Sequence, residues 1–260
     1  MNWRTKPAGT ARTFLAAMVA AMTLAPAALA EDNDMQAWID EQIASGKNLA
    51  ITAMHLKDGE VSYYAGGTTT AGEQITPDEN TQFQMGSITK PFTDMLLAEL
   101  VANGAVKYDT TIGELMDVEP KNPAVAEITL QSLATHTSGL PRLPVNLVPA
   151  NPLDPYAGYD DDLLKKAVVE ARNLQPLGDH YAYSNFGVGL LGYLLGEEQG
   201  DGYQKAMMAL VVEPLGLTET GFTESGNVAQ GFRSGDVVPA WSMDDALAGA
   251  GSLWGSVSDF

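Results

Sequence analysis

The sequence has 260 residues, no cysteine, and 33 acidic against 14 basic residues, a formal net charge of −19 that becomes −22 once residues 1–30, with three basic and no acidic residues, are set aside. Such a surface repels phosphate backbones and anionic lipid, which excludes nucleic acid as the expected partner. Without cysteine there are no disulfides or thiolate metal centres, and His55, His136 and His180 form no ligand pair at helical spacing, so a zinc enzyme is not expected.

Residues 1–30 read as an export leader. Arg4, Lys6 and Arg12 lead into an apolar stretch, Thr13 to Ala30, that closes on the small-x-small pattern Ala28-Leu29-Ala30. Cleavage after Ala30 is expected to yield a periplasmic or secreted protein, and no later segment has the apolar length to span a bilayer. The remaining chain, about 230 residues, is long enough to build its core without disulfides.

After a short helical stretch near Met35 to Ile43, the alternation from Leu49 to His55 predicts a strand. Lys57-Asp58-Gly59-Glu60 is a hairpin turn and Val61 to Ala65 the returning strand. From Ser87 the period changes: Ile88, Phe92, Met95, Leu96 and Leu100 recur at helical spacing up to Asn103-Gly104. Pro91 fits because the first turn of a helix has no use for its missing N–H. A short amphipathic piece covers Thr110 to Met116, and Thr129 is placed to cap the helix that follows. Residues 141–159, rich in proline and turn residues, predict a long ordered loop. Helices are then expected over Asp160–Asn173, over Phe186 to about Glu197 after the extended Tyr181-Ala182-Tyr183-Ser184-Asn185, and over Met207 onward to a stop at Pro214 and Gly216.

Two stretches carry candidate chemistry. In Phe83-Gln84-Met85-Gly86-Ser87-Ile88-Thr89-Lys90, residues three apart at a helix entrance share a face, so the Lys90 amine can approach the Ser87 hydroxyl. A serine becomes nucleophilic when a neighbouring base takes its proton, and the free N–H groups of a helix start point where an oxyanion would develop. The plainer reading is a capping serine with a solvated lysine one turn on, because the spacing alone is common. Tyr183 and Asn185, two apart in an extended stretch, can point the same way; the tyrosine could relay a proton and the asparagine could bind a substrate amide. Here the plainer reading has Asn185 capping the next helix and Tyr183 packed in the core. A histidine triad finds no G-x-S-x-G elbow, which leaves His136 and His180 structural roles, and Arg233-Ser234-Gly235 reads as a turn.

Four stretches in order, FQMGSITK (83–90), ITLQSLATHTSGLPRLP (128–144), YAYSNFGVGLLGYLLG (181–196) and VVEPLGLTETGF (211–222), resemble the serine β-lactamase and penicillin-binding protein family. The similarity is to the branch of class C β-lactamases, D-alanyl-D-alanine peptidases and related esterases, and AGAGSLWGSVSDF (248–260) resembles the segment before a long helix of that family. The resemblance implies an α/β (α+β) fold, an antiparallel sheet flanked by helices plus a mostly helical domain, with residues 31–82 in the sheet part, 83–222 helical and 223–260 returning toward the sheet. It also implies an acyl-enzyme mechanism that calls for no metal or cofactor. Ser87 would be the nucleophile, Lys90 its proton acceptor or electrostatic partner, Tyr183 the general base and acid, and Asn185 a substrate contact.

The family's third motif, a lysine or histidine, a threonine or serine, then glycine on a later strand, has no counterpart before Phe260. The sequence is therefore expected to be a partial record of a longer protein, with the 49–65 hairpin lacking a neighbouring strand. The expected substrate is a small molecule or a peptidoglycan peptide: a β-lactam, a D-Ala-D-Ala peptide or a small ester. The triplet Tyr183-Ser184-Asn185 together with THTSGLP is nearer the peptidase and esterase members. A non-hydrolytic penicillin or cell-wall binder, or an inactive fragment, is the alternative from another class.

Overall fold

The computed structural model describes residues 32–172, 180–224 and 226–260, so the expected leader at 1–30 and the expected helix end at Asn173 lie outside the described residues. Helix α1 (Asp32–Ala44) precedes strands β1 (Ala50–Lys57) and β2 (Glu60–Gly67), paired antiparallel from Ala50 opposite Gly67 to Lys57 opposite Glu60. The Asp-Gly turn forms as its chemistry dictates, with φ of 54° at Asp58 and 86° at Gly59. α1 covers β2 so closely that a Cβ on Gly66 would stand 2.6 Å from the Ile39 side chain. Among the described residues the hairpin has no third strand.

Two shorter antiparallel pairs complete the β structure. β3 (Phe83–Gln84) pairs with β6 (Trp254–Gly255), and β4 (Gly231–Arg233) with β5 (Asp236–Val238) across a tight turn with Ser234 and Gly235 at positive φ. The β3–β6 pair matters for function, because it ties the last residues to the entrance of the next helix. That helix, α2 (Thr89–Ala102), starts two residues later than the sequence suggests, after a 3₁₀ turn over Gly86–Ile88.

The helical part comprises α3 (Ile112–Leu115), α4 (Leu130–Ala134), α5 (Asp161–Glu170), α6 (Asn185–Gln199), α7 (Tyr203–Met207), α8 (Glu213–Leu215) and α9 (Asp245–Ala248). Side-chain caps start several of these: Thr129 accepts from the Ser132 N–H at 3.2 Å and Asp160 from the Leu163 N–H at 2.9 Å. The run from Met207 is not one helix. A π-helical turn over Met208–Val212 joins α7 to α8, Pro214 sits harmlessly in the first turn of α8, and Gly216 at φ 72° makes the stop.

α6 is the centre of the core, with every residue from Phe186 to Gly196 buried. Its four glycines, at 187, 189, 192 and 196, cost roughly 4 kcal/mol of helix propensity against alanine. Full burial of Phe186, Leu190, Leu191, Leu194 and Leu195 contributes about 1.5–3 kcal/mol each, so packing outweighs propensity. The glycines admit close neighbours: a Cβ on Gly192 would lie 3.0 Å from both Gly249 Cα and the Tyr203 ring. That approach lets the turn after α9 reach α2. Among the described residues no helix is long and apolar enough to cross a membrane.

Candidate active site

The first turn of α2 is clamped by the segment that follows α9. The Leu253 N–H donates to Thr89 Oγ1 at 3.1 Å, and Thr93 Oγ1 donates to the Gly249 carbonyl at 2.8 Å while pairing with Tyr203 Oη at 2.8 Å. Between these two threonines Lys90 points inward. Its Nζ donates to the Ala250 carbonyl at 2.6 Å and to Ser87 Oγ at 3.2 Å. Lysine is seldom this buried, at 5% exposure, without a carboxylate partner, and Lys90 has no ion pair among the described residues. Burial above all, with the Arg142 charge adding to it, holds its ammonium below the ordinary lysine range against the opposing pull of Tyr183 and Asp94.

Tyr183 reaches the same point from the opposite side. Its Oη donates to Ser87 Oγ at 2.7 Å, and its ring lies with the centroid 4.9 Å from Lys90 Nζ. Burial works to raise the phenol, but hydrogen bonds with Lys90 and Ser87 and the charges of Lys90 and Arg142 outweigh it, so the group sits below the ordinary tyrosine range. Ser87, Lys90 and Tyr183, 96 positions apart at their extremes, thus converge on one hydroxyl.

Asn185 is brought to the same region in a different state. It is the first residue of α6, and the capping role belongs to Ser184, whose Oγ accepts from the Gly187 N–H at 2.8 Å and donates to the Pro141 carbonyl at 2.7 Å. Asn185 Nδ2 donates to Tyr156 Oη at 3.0 Å, and its buried Oδ1 has no partner among the described residues. The amide is therefore held at one end and unsatisfied at the other, which leaves an acceptor for a bound molecule.

Two residues of the site, Tyr156 and Arg142, escaped the sequence reading, and a third, His136, takes the structural role expected of it. His136, held at φ 58°, accepts the Ser184 N–H on Nδ1 at 3.1 Å and stacks on Tyr183 with centroids 4.6 Å apart; burial and the Lys90 charge keep it below its ordinary range, as a neutral support. Tyr156 orients Asn185 from the loop before α5. Arg142 places its guanidinium carbon 5.1 Å from the Tyr183 centroid, and no periodic signal in a proline-rich loop announces that. His180 is exposed and has no part in the cluster.

Asp94, one turn beyond Lys90, carries a buried Oδ1 without a partner among the described residues, and burial raises its carboxyl to about 6 although Lys90 pulls it down. The folded state therefore favours the protonated acid. Its stabilising contribution is complete below the ordinary 3.8 and is lost as pH rises through about 6. Asp94→Asn is expected to leave stability unchanged below 3.8 and to raise it by about 1 kcal/mol above about 6, solvent screening included. Denaturant unfolding of both proteins across that range checks the sign; an equal gain at both ends would contradict it.

A Ser-Lys-Tyr cluster of this geometry can be compared with known proteins. A family model described as Beta-lactamase matches residues 35–260. The chain is 26% identical over 212 residues to a β-lactamase of Providencia stuartii, covering 80% of this chain and 51% of that one. It is 28% identical over 161 residues to the D-alanyl-D-alanine-carboxypeptidase/endopeptidase AmpH of Escherichia coli strain K12, covering 61% and 41%. Among solved structures, a class C β-lactamase superposes with a TM-score of 0.72 at 21% identity, over 88% of this chain and 60% of that one. The chain spans about half the length of the curated relatives it matches. The family model spans the hairpin, the clamped α2 and the Tyr183 stretch, and on that extent the chain belongs to the β-lactamase family.

Proposed function

We propose that the chain carries the nucleophile of an exported serine acyl hydrolase acting on a β-lactam, a D-Ala-D-Ala peptide or a small ester. The observation that carries this reading is the convergence of Lys90 Nζ and Tyr183 Oη on Ser87 Oγ, at 3.2 and 2.7 Å. With the phenol neutral, Tyr183 donates to Ser87; once the phenol is ionised the bond reverses, and Oη accepts the serine proton. Lys90, buried and easily neutralised, shares that proton. Ser87 Oγ then bonds to the substrate carbonyl carbon, the carbonyl electrons move onto its oxygen, and the Ser87 N–H at the entrance to α2 faces that oxyanion. As the tetrahedral species collapses, the leaving nitrogen or oxygen takes the proton from Tyr183 and Ser87 remains as an ester. Water releases the acid. The free Oδ1 of Asn185 is placed to accept an N–H of the acyl side chain.

The names of the relatives support the class and leave the substrate open, and export rests on the leader composition. Intact mass after mixing with a penicillin separates the cases. A lasting penicilloyl mass means slow deacylation, as in a peptidase or a penicillin-binding protein, while hydrolysed drug without adduct means a β-lactamase. Turnover of a small ester with the drug untouched means an esterase. An untouched drug, no adduct and no ester turnover would overturn the reading.

A further inference from the structure

We infer that Arg142 is a positioning residue for the Ser87 chemistry: its guanidinium, held over the Tyr183 ring, supplies the fixed positive charge that keeps the phenol ready to accept a proton while Lys90 changes its own charge. The inference rests on the roles proposed above for Ser87, Lys90 and Tyr183. Two cations flank one ring, Lys90 Nζ at 4.9 Å and Arg142 Cζ at 5.1 Å from its centroid. They differ in permanence. Lysine shifts and loses its proton when buried, and Lys90 is buried; a guanidinium stays charged at any working pH. If Lys90 and Tyr183 trade a proton, the field of Lys90 disappears whenever it is neutral, whereas that of Arg142 does not.

Arg142 is also tied to the segment it serves. Its carbonyl accepts from the Asn185 N–H at 2.9 Å and the Phe186 N–H at 3.2 Å, so its backbone is fixed to the two residues after Ser184. Its charge is not spent in an ion pair among the described residues. In a chain with 33 acidic residues, the ion pairs among the described residues are Lys121 with Glu170 and Lys205 with Asp201, and neither involves Arg142. The other groups facing Tyr183 cannot replace it. Ser87 is neutral, His136 is held neutral, Tyr181 meets the far side of the cluster through His136, and Asp94 acts on Lys90 from below. Tyr193 offers an internal contrast. It has a single lysine, Lys165, 5.8 Å from its centroid, and burial with Glu197 and Asp161 nearby leaves it above the ordinary tyrosine range.

The test reads Tyr183 directly. With the nine tyrosines labelled at Cζ with carbon-13, the Tyr183 resonance is assigned through Tyr183→Phe and its titration followed by NMR. In Arg142→Met the midpoint is expected to move up, and in Arg142→Lys, which restores the charge, to return toward the parent. The acid limb of the acylation rate should move in the same direction, with a loss on the order of tenfold at neutral pH for each pH unit of displacement. Because the Arg142 side chain is exposed and its anchoring bonds are backbone bonds, the variants should fold; Arg142→Gln is a second neutral replacement. A Tyr183 midpoint unmoved in both neutral variants would overturn the inference. If Ser87 accepts no acyl group at all, the proposed function fails, yet the Tyr183 titration still decides the role of Arg142.

Discussion

Replacing Ser87 by alanine is expected to abolish acylation completely while leaving the fold in place. The two halves of that expectation have separate causes. Among the described residues no other hydroxyl hydrogen-bonds with Lys90 or Tyr183: Thr89 Oγ1 accepts from the Leu253 N–H, Thr93 faces Gly249 and Tyr203, and Ser184 caps α6. On the proposed mechanism loss of Oγ leaves the site without a nucleophile, and a penicillin or an activated ester should add no mass. The fold does not depend on that oxygen, because Ser87 is exposed and Lys90 keeps its 2.6 Å bond to the Ala250 carbonyl. A stability change within about 0.5 kcal/mol is expected, as for other exposed sites. Intact mass and thermal unfolding measured side by side settle both halves. An adduct on Ser87→Ala would move the nucleophile elsewhere, and a large fall in melting temperature would make the loss of acylation uninformative.

What the sequence made legible was local. Ser87 and Lys90 share one turn, Asp58-Gly59 closes a hairpin, and Thr129 caps a helix, because each depends on chemistry within four residues. Tyr183 could be linked to them through resemblance, since 96 positions separate it from Ser87 and no period spans that gap. The partners that set the charges were not legible. The Ala250 carbonyl holding Lys90 lies 160 positions away, and its bond uses backbone that any residue supplies. Arg142 and Tyr156 come from irregular loops, where side-chain direction follows packing rather than composition. Local chemistry also misled. Asn185 had a plausible capping role that its neighbour Ser184 takes, and the run after Met207 was read as one helix because the π-helical turn at 208–212 keeps an apolar face. The same distinction explains the hairpin: its turn is dictated by two residues, but its third strand is not a local property.

Tyr183→Phe should lower the acylation rate by about 10²–10⁴, the usual contribution of a positioned general base. The substitution is conservative where it needs to be. The ring keeps its 4.6 Å stacking on His136 and its place between Lys90 and Arg142, while Oη, 2.7 Å from Ser87 Oγ, is removed. The pH dependence gives a stricter check than the rate. On the proposed mechanism attack requires the phenol without its proton, so in the parent the rate should rise with pH and level off once the Lys90–Tyr183 pair has lost the proton it shares. Both groups sit below their ordinary ranges, which places that limb below the pH at which free tyrosine or lysine would titrate. The limb belongs to the coupled pair and not to one residue. Removing Oη leaves Lys90 alone, with the hydrogen bond it donates to Tyr183 gone and burial and Arg142 still acting to lower it. The residual rate of Tyr183→Phe should then follow one ionisation set by Lys90, and a further Lys90→Met replacement should flatten it. A time course of adduct mass across pH for the parent and both variants gives the three profiles. A Tyr183→Phe rate within a few-fold of the parent, on an unchanged profile, would make Lys90 the sole base and Tyr183 a packing residue.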